Sequence, residues 1–192
     1  MSLNNLPTVA ETEKIHDTFF NIRKDRLSIV DQEDYTYYTL ETRPHAVMVI
    51  ATTPDNRYII NKEYRHPTRK VLLGAPGGTM DDGEDFIDCA KRELLEETGY
   101  SAEKFFLLGE SYPFPGVCLQ STVFVRALNA KKVGEPNLDH AEFIEVALLN
   151  QEELNRAMQT MPLDGILLTG LYLEARQAAN GLPIGGSFHT SI

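Results

Sequence analysis

The chain has 192 residues, 42% apolar and 24% charged, an ordinary composition for a folded domain. At that length folding buries roughly 70% of the unfolded surface, so a core is available without staples; two cysteines, Cys89 and Cys118, are too few for a disulfide framework. Lys and Arg total 18 against 28 Asp and Glu, a net charge of −10, which excludes broad nucleic-acid binding and means that an anionic substrate needs a cation to mediate.

No apolar run approaches the roughly 20 residues of a membrane span. The opening MSLNNLPTVAETEK has neither the basic segment nor the apolar core of a signal peptide. A cytoplasmic setting, with no membrane or nucleic-acid partner, is the expectation.

Residues 1–13 read as loose or as a short helix. HDTFFNI, RLSIV and YTYYTLE then look like three strands, rich in β-branched and aromatic residues. HAVMVIA (45–51) is a near-continuous apolar run, the pattern of a strand covered on both faces. TPDNR supplies a turn, after which RYIINKEYR reads as its hairpin partner, and KVLLGAPGG is a strand running into a Gly/Pro loop. EDFIDCAKRELLEET (84–98) is the first strong helix, with Asp81 and Asp82 as N-cap candidates, Gly99 at C′, and Ile87, Ala90 and Leu94 as its core stripe. Strands recur at 105–110, 121–128 and 143–149. Asn150 caps a helix QEELNRAMQT, and a last helix begins near Asp164. The order predicts an α+β or mixed α/β/α domain with an N-terminal antiparallel β appendage. Residues 1–43 form the appendage, 44–182 the main domain and 183–192 a flexible Gly-rich tail.

The chemistry concentrates in the helix at 84–98. Glu93, Glu96 and Glu97 stand at i, i+3 and i+4, on one face with Cβ atoms roughly 5–6 Å apart. Like-charged pairs there cost roughly 0.2–0.5 kcal/mol, and carboxylates in a last turn oppose the helix dipole by roughly 0.3–1 kcal/mol each. A divalent cation relieves both, and an oxygen-only ligand set indicates Mg²⁺ or Mn²⁺ rather than Zn²⁺. The bland alternative is a solvated Glu-rich helix. The preceding Ala75-Pro76-Gly77-Gly78 weighs against it, because bare backbone can bring carbonyls to a metal or N–H groups to phosphate. Arg92 is placed to brace a carboxylate by paired hydrogen bonds.

Gly78, five residues, Glu84, seven residues, then Arg92-Glu93-Leu94-Leu95-Glu96-Glu97-Thr98-Gly99-Tyr100 resembles the Nudix box at every defining position. EYRHP (63–67), the APGG loop, SYPFPG (111–116) and AEFIEV (141–146) extend the likeness to the ADP-ribose pyrophosphatase branch of that family. The resemblance implies a Nudix α/β/α sandwich with a mixed sheet and Mg²⁺- or Mn²⁺-dependent hydrolysis of a nucleoside diphosphate sugar. ADP-ribose would give AMP and ribose 5-phosphate. It implies a homodimer paired through the appendage.

By the same resemblance Glu93 and Glu97 are direct metal ligands, Glu96 a ligand through water or to a second ion, and the Gly77 carbonyl a backbone ligand. Glu84 and Arg92 have supporting roles. Glu142 is the expected base, with Asp139 and Glu145 as competitors, and Glu145 reads as a solvent-facing strand residue. Arg65 is the expected phosphate grip, with a surface ion pair as its alternative. Gly78, Pro115 and Gly116 complete the substrate set, the last two at the sugar end. Where the branch often has Glu just before the Pro of the loop strand and Ala at position 77, this chain has Gly74, Ala75 and Gly77. Tyr35, Tyr37 and Tyr38 are candidates for stacking or interface packing. Cys89 reads as a buried, inert thiol. Alternative activities are hydrolysis of another nucleoside diphosphate sugar, hydrolysis of nucleoside triphosphates, and a non-catalytic module that binds an ADP-ribose-type ligand.

Overall fold

A computed structural model of the chain describes residues 8–17 and 21–179; the expected tail at 183–192 lies outside the described residues. Two compact units result. One holds the described residues up to Pro44 together with Tyr112–Ser121, and the other holds His45–Ser111 with the described residues from Thr122 onward.

The first unit is built on an antiparallel sheet of β1 (Thr8–Asp17), β2 (Asn21–Ser28) and β3 (Tyr35–Glu41) in that order. β1 corrects the expectation of a loose or helical start, and β2 joins pieces read as parts of two strands. The reason is charge. β1 is held by cross-strand pairs on a solvated ladder, Glu13 with Lys24 at 3.0 Å and Glu11 with Arg26 at 3.2 Å, which a search for apolar alternation overlooks. Residues 112–121 join the same unit. Leu40 N–H donates to the Val117 carbonyl at 2.7 Å, and the Tyr37 hydroxyl donates to the Gly116 carbonyl. Tyr35 and Tyr38 are exposed.

In the second unit β4 (His45–Ala51) has the double-sided burial that its apolar run predicts. Val47, Val49 and Ala51 enter one core with Ala90 and Leu94 of α1 (Phe86–Thr98), while Met48 and Ile50 enter another with Leu154 of α2 (Gln151–Thr160) and Leu167 and Leu173 of α3 (Gly165–Ala179). Helices thus cover both faces of the strands, the layering of an α/β/α sandwich. β4 lies between β7 (Gly77–Thr79) and β10 (Ser121–Leu128), with β9 (Lys104–Ser111) beyond, while β8 (Tyr100–Ser101) and β11 (Lys131–Lys132) form a separate two-stranded ladder.

β5 (Tyr58–Arg65) is not the hairpin partner of β4. A single bridge, Thr52 to Tyr58, closes the turn, and β5 then pairs with β6 (Lys70–Gly74) and β12 (Ile144–Leu149) in a second sheet. Ile59 and Ile60 face opposite cores, so the two strands separate to enclose side chains that a flat hairpin would expose. Arg126 ties α3 to this core. Its guanidinium meets Glu174 at 2.6 Å and donates to the Ile50 and Ala127 carbonyls and the Thr52 hydroxyl.

Candidate active site

α1 starts one turn later than the apparent caps. Asp85, not Asp81 or Asp82, is the N-cap, accepting from Ile87 N–H at 2.8 Å, and Gly99 ends the helix in the left-handed conformation. This phase turns Glu93 and Glu97 inward, at 8% and 5% exposure, and leaves Glu96 at the rim.

The Gly77-Gly78 backbone lies against these carboxylates. Gly77 N–H donates to Glu97 Oε2 at 3.0 Å. A Cβ on Gly78 would meet the Glu93 carboxylate, 2.7 Å from Cδ; one on Gly77 would run into the Val47 carbonyl and lie 2.9 Å from Met48 Cα. Glycine is needed at both positions for close approach rather than for a special φ.

Arg92 braces the rim. Nε and Nη2 grip both oxygens of Glu84 at 2.9 and 3.0 Å, while Nη1 reaches Glu93 at 2.7 Å and Glu96 at 3.2 Å. The paired hydrogen bonds from Arg92 hold the Glu84 carboxyl down at about 2, and Glu84 in turn raises the guanidinium. Among the described residues Glu97 has no such cation, and burial pushes it up to about 8 against a smaller opposing effect from Gly77 N–H. Glu93 is raised by the same cause, with Arg92 opposing it. Cys89 is fully buried beside Arg92, and burial pushes its thiol up to about 12, as an inert structural cysteine requires.

Two residues that sequence reading passed over stand on β5. Asn61 is 1% exposed, and its Nδ2 donates to Glu97 Oε2 at 2.7 Å, while its own Oδ1 is buried without a partner. Glu63 is raised by burial and feels the charge of Glu142. Their signal was present: Asn61, Glu63 and Arg65 are polar at every second position of a strand that starts apolar, which marks one face.

The charge of Glu142 is felt at Glu93 as well as at Glu63, and its Oε2 accepts from Asp139 N–H at 2.9 Å. Asp139 is thus part of the same turn, whereas Glu145 points to solvent and pairs with Lys62 at 2.7 Å. Arg65 is ion-paired with Glu63 at 2.7 Å. Pro115 and Gly116 belong to the first unit.

Among the described residues, no three His, Cys, Asp or Glu side chains are gathered around one point as a finished metal cage. The donor set nonetheless fits a hard dication. Two buried carboxylates, only one of them braced by Arg92, are both oxygen donors.

Comparison with known proteins agrees with this geometry. Over 111 residues the chain is 35% identical to a protein of Bacillus methanolicus named methanol dehydrogenase activator, covering 57% of this chain and 60% of that one. It is 31% identical over 118 residues to the ADP-ribose pyrophosphatase of Bacillus subtilis (strain 168), covering 61% and 64%. The matches thus span somewhat over half the length of these curated relatives. A crystal structure described as an ADP compounds hydrolase shares the fold, with a TM-score of 0.80, 22% identity, and coverage of 92% of this chain and 96% of that one. A family model described as the NUDIX domain matches residues 42–168. That match contains α1, the Gly77-Gly78 backbone and the β5 face, and it spans more than half of the chain, which therefore belongs to the NUDIX family.

Proposed function

We propose that the protein hydrolyses the pyrophosphate of a nucleoside diphosphate sugar with Mg²⁺ or Mn²⁺, with ADP-ribose as the substrate and AMP and ribose 5-phosphate as the products. The observation that carries this reading is the buried Glu93–Glu97 pair beneath the Gly77-Gly78 backbone, where no cation among the described residues balances Glu97. Glu93 and Glu97 would hold the ion, with Glu96 and the Gly77 carbonyl as further ligands. The ion, when bound, neutralises pyrophosphate charge and lowers the pKa of water.

The chain's own groups supply the rest. Arg92 fixes Glu93 and Glu96 through its shared guanidinium, so neither carboxylate has to be ordered at the moment of reaction. Glu142 takes the proton of the attacking water as a new P–O bond forms and the bridging P–O bond breaks. Arg65 can exchange Glu63 for a substrate phosphate, because its own side chain is half-exposed and a phosphate offers its guanidinium the same paired acceptors. The Bacillus subtilis relative, named an ADP-ribose pyrophosphatase, supports a diphosphate linked to a sugar over a triphosphate. The first unit presents exposed Val9, Val30, Tyr35 and Tyr38 around a polar ladder, which suits pairing with a second copy.

The test is a substrate panel at fixed Mg²⁺ with products resolved by chromatography. A nucleoside diphosphate sugar should exceed every nucleoside triphosphate in kcat/KM by at least about 10-fold, the discrimination available from one or two polar contacts left unmade. A triphosphate as the best substrate, releasing pyrophosphate, overturns the substrate assignment. Binding of ADP-ribose without turnover in Mg²⁺ favours a ligand-binding module instead.

A further inference from the structure

We propose that Asn61 is a positioning residue for Glu97, committing one carboxylate oxygen to the fold so that the other is presented to the cation. The proposal rests on Glu97 being a metal ligand. Asn61 Nδ2 and Gly77 N–H both donate to Oε2, at 2.7 and 3.0 Å, and among the described residues Oε1 accepts no hydrogen bond. The two donors come from separate strands, β5 and β7, and fix the carboxylate plane from two directions. Glu97 reaches this point from α1, so three elements meet on one oxygen.

A second observation separates this role from packing. Asn61 directly follows Ile59 and Ile60 and is as deeply buried as they are, and its Oδ1 is buried without a partner. An unmet buried acceptor lowers stability, and a β-branched apolar residue suits the strand better. The fold alone therefore gives no reason for an amide here, whereas the bond to Glu97 does.

The register supplies a third. Gly74 lies directly opposite Asn61 in the β5–β6 ladder, and directly opposed residues share a face. Crowding does not demand glycine at this place, since a Cβ would find its nearest neighbours at 3.9 Å, on Asp164, and 4.0 Å, on the Asn61 carbonyl. Its effect is to leave the Asn61 amide without a competing cross-strand side chain.

Mn²⁺ titration of the metal-free protein, read from the electron paramagnetic resonance of free Mn²⁺, tests the proposal alongside thermal unfolding in EDTA. The proteins are wild type, Asn61→Val, Asn61→Ala and Glu97→Gln. Both Asn61 variants should bind Mn²⁺ about 10–100-fold more weakly, the usual loss when the partner of a ligand is removed. Asn61→Val should unfold at or above the wild-type temperature. The two replacements differ in volume, so a packing defect would separate them while loss of the donor would not. Wild-type affinity in either folded Asn61 variant, with binding weakened in Glu97→Gln, overturns the proposal and leaves Glu97 as a ligand. Undiminished binding by folded Glu97→Gln overturns the ligand assignment and the proposal together.

Discussion

Replacing Glu97 by Gln removes a charge from a buried site while keeping an oxygen to accept from Asn61 and Gly77. Burial raises the Glu97 carboxyl from its ordinary 4.5 to about 8 in the metal-free fold. Between those values the folded protein retains a proton that the unfolded chain has released, so the stability this group contributes is complete below pH 4.5 and is lost as pH rises through 8. From pH 5 to 8 the loss is about 3 kcal/mol, taking 1.36 kcal/mol for each pKa unit. Glu93 and Glu63, both raised by burial, act in the same direction. Urea denaturation followed by circular dichroism in EDTA should therefore show the wild type weakening from pH 5 to pH 8. Glu97→Gln should match it near pH 5 and exceed it by about 2–3 kcal/mol at pH 8. With Mg²⁺ the order reverses, and turnover by the variant should fall at least about 100-fold, or 2.7 kcal/mol of transition-state stabilisation. A wild type whose metal-free stability does not change with pH over this range would refute the burial argument. Near-normal turnover by folded Glu97→Gln would refute the metal assignment.

The two loop glycines should fail differently. Gly77→Ala drives a Cβ into the β4 backbone and should cost about 1–3 kcal/mol of stability by urea denaturation. Gly78→Ala meets the Glu93 carboxylate rather than backbone and displaces it from Arg92, so its stability should fall less than that of Gly77→Ala while kcat/KM drops at least about 10-fold; the opposite pattern would show the approach to be misread. Arg92→Lys keeps the charge but cannot grip Glu84 with two nitrogens while reaching Glu93 and Glu96, and should lose about 10–100-fold in activity; full activity would remove Arg92 from the site. Light scattering at micromolar concentration should give a dimer, and Tyr38→Asp, on the exposed face of β3, should weaken it; a monodisperse wild-type monomer would end the dimer proposal.

Local geometry was legible in the chain. The i, i+3, i+4 spacing of Glu93, Glu96 and Glu97 needs only a helix to share a face, and Asn150, Gly99 and the HAVMVIA run carry their own cap and burial signals. Polar strands were not legible in this way. β1 is held by Glu11–Arg26 and Glu13–Lys24 pairs that exist only once β2 lies beside it. The N-cap shifted to Asp85 because several acids precede the helix, and only the phase that buries Ala90 and Leu94 selects among them.

The chain by itself determined which helix carries the carboxylates and which glycines approach them, because those relations span a few residues. Tertiary structure alone decided that β5 leaves β4 for a second sheet, and with it that Asn61 and Glu63 join the site from some 30 residues upstream. Sheet order is set by burying two apolar faces at once, a condition on the whole fold, so no local window of sequence contains the meeting of Asn61 with Glu97.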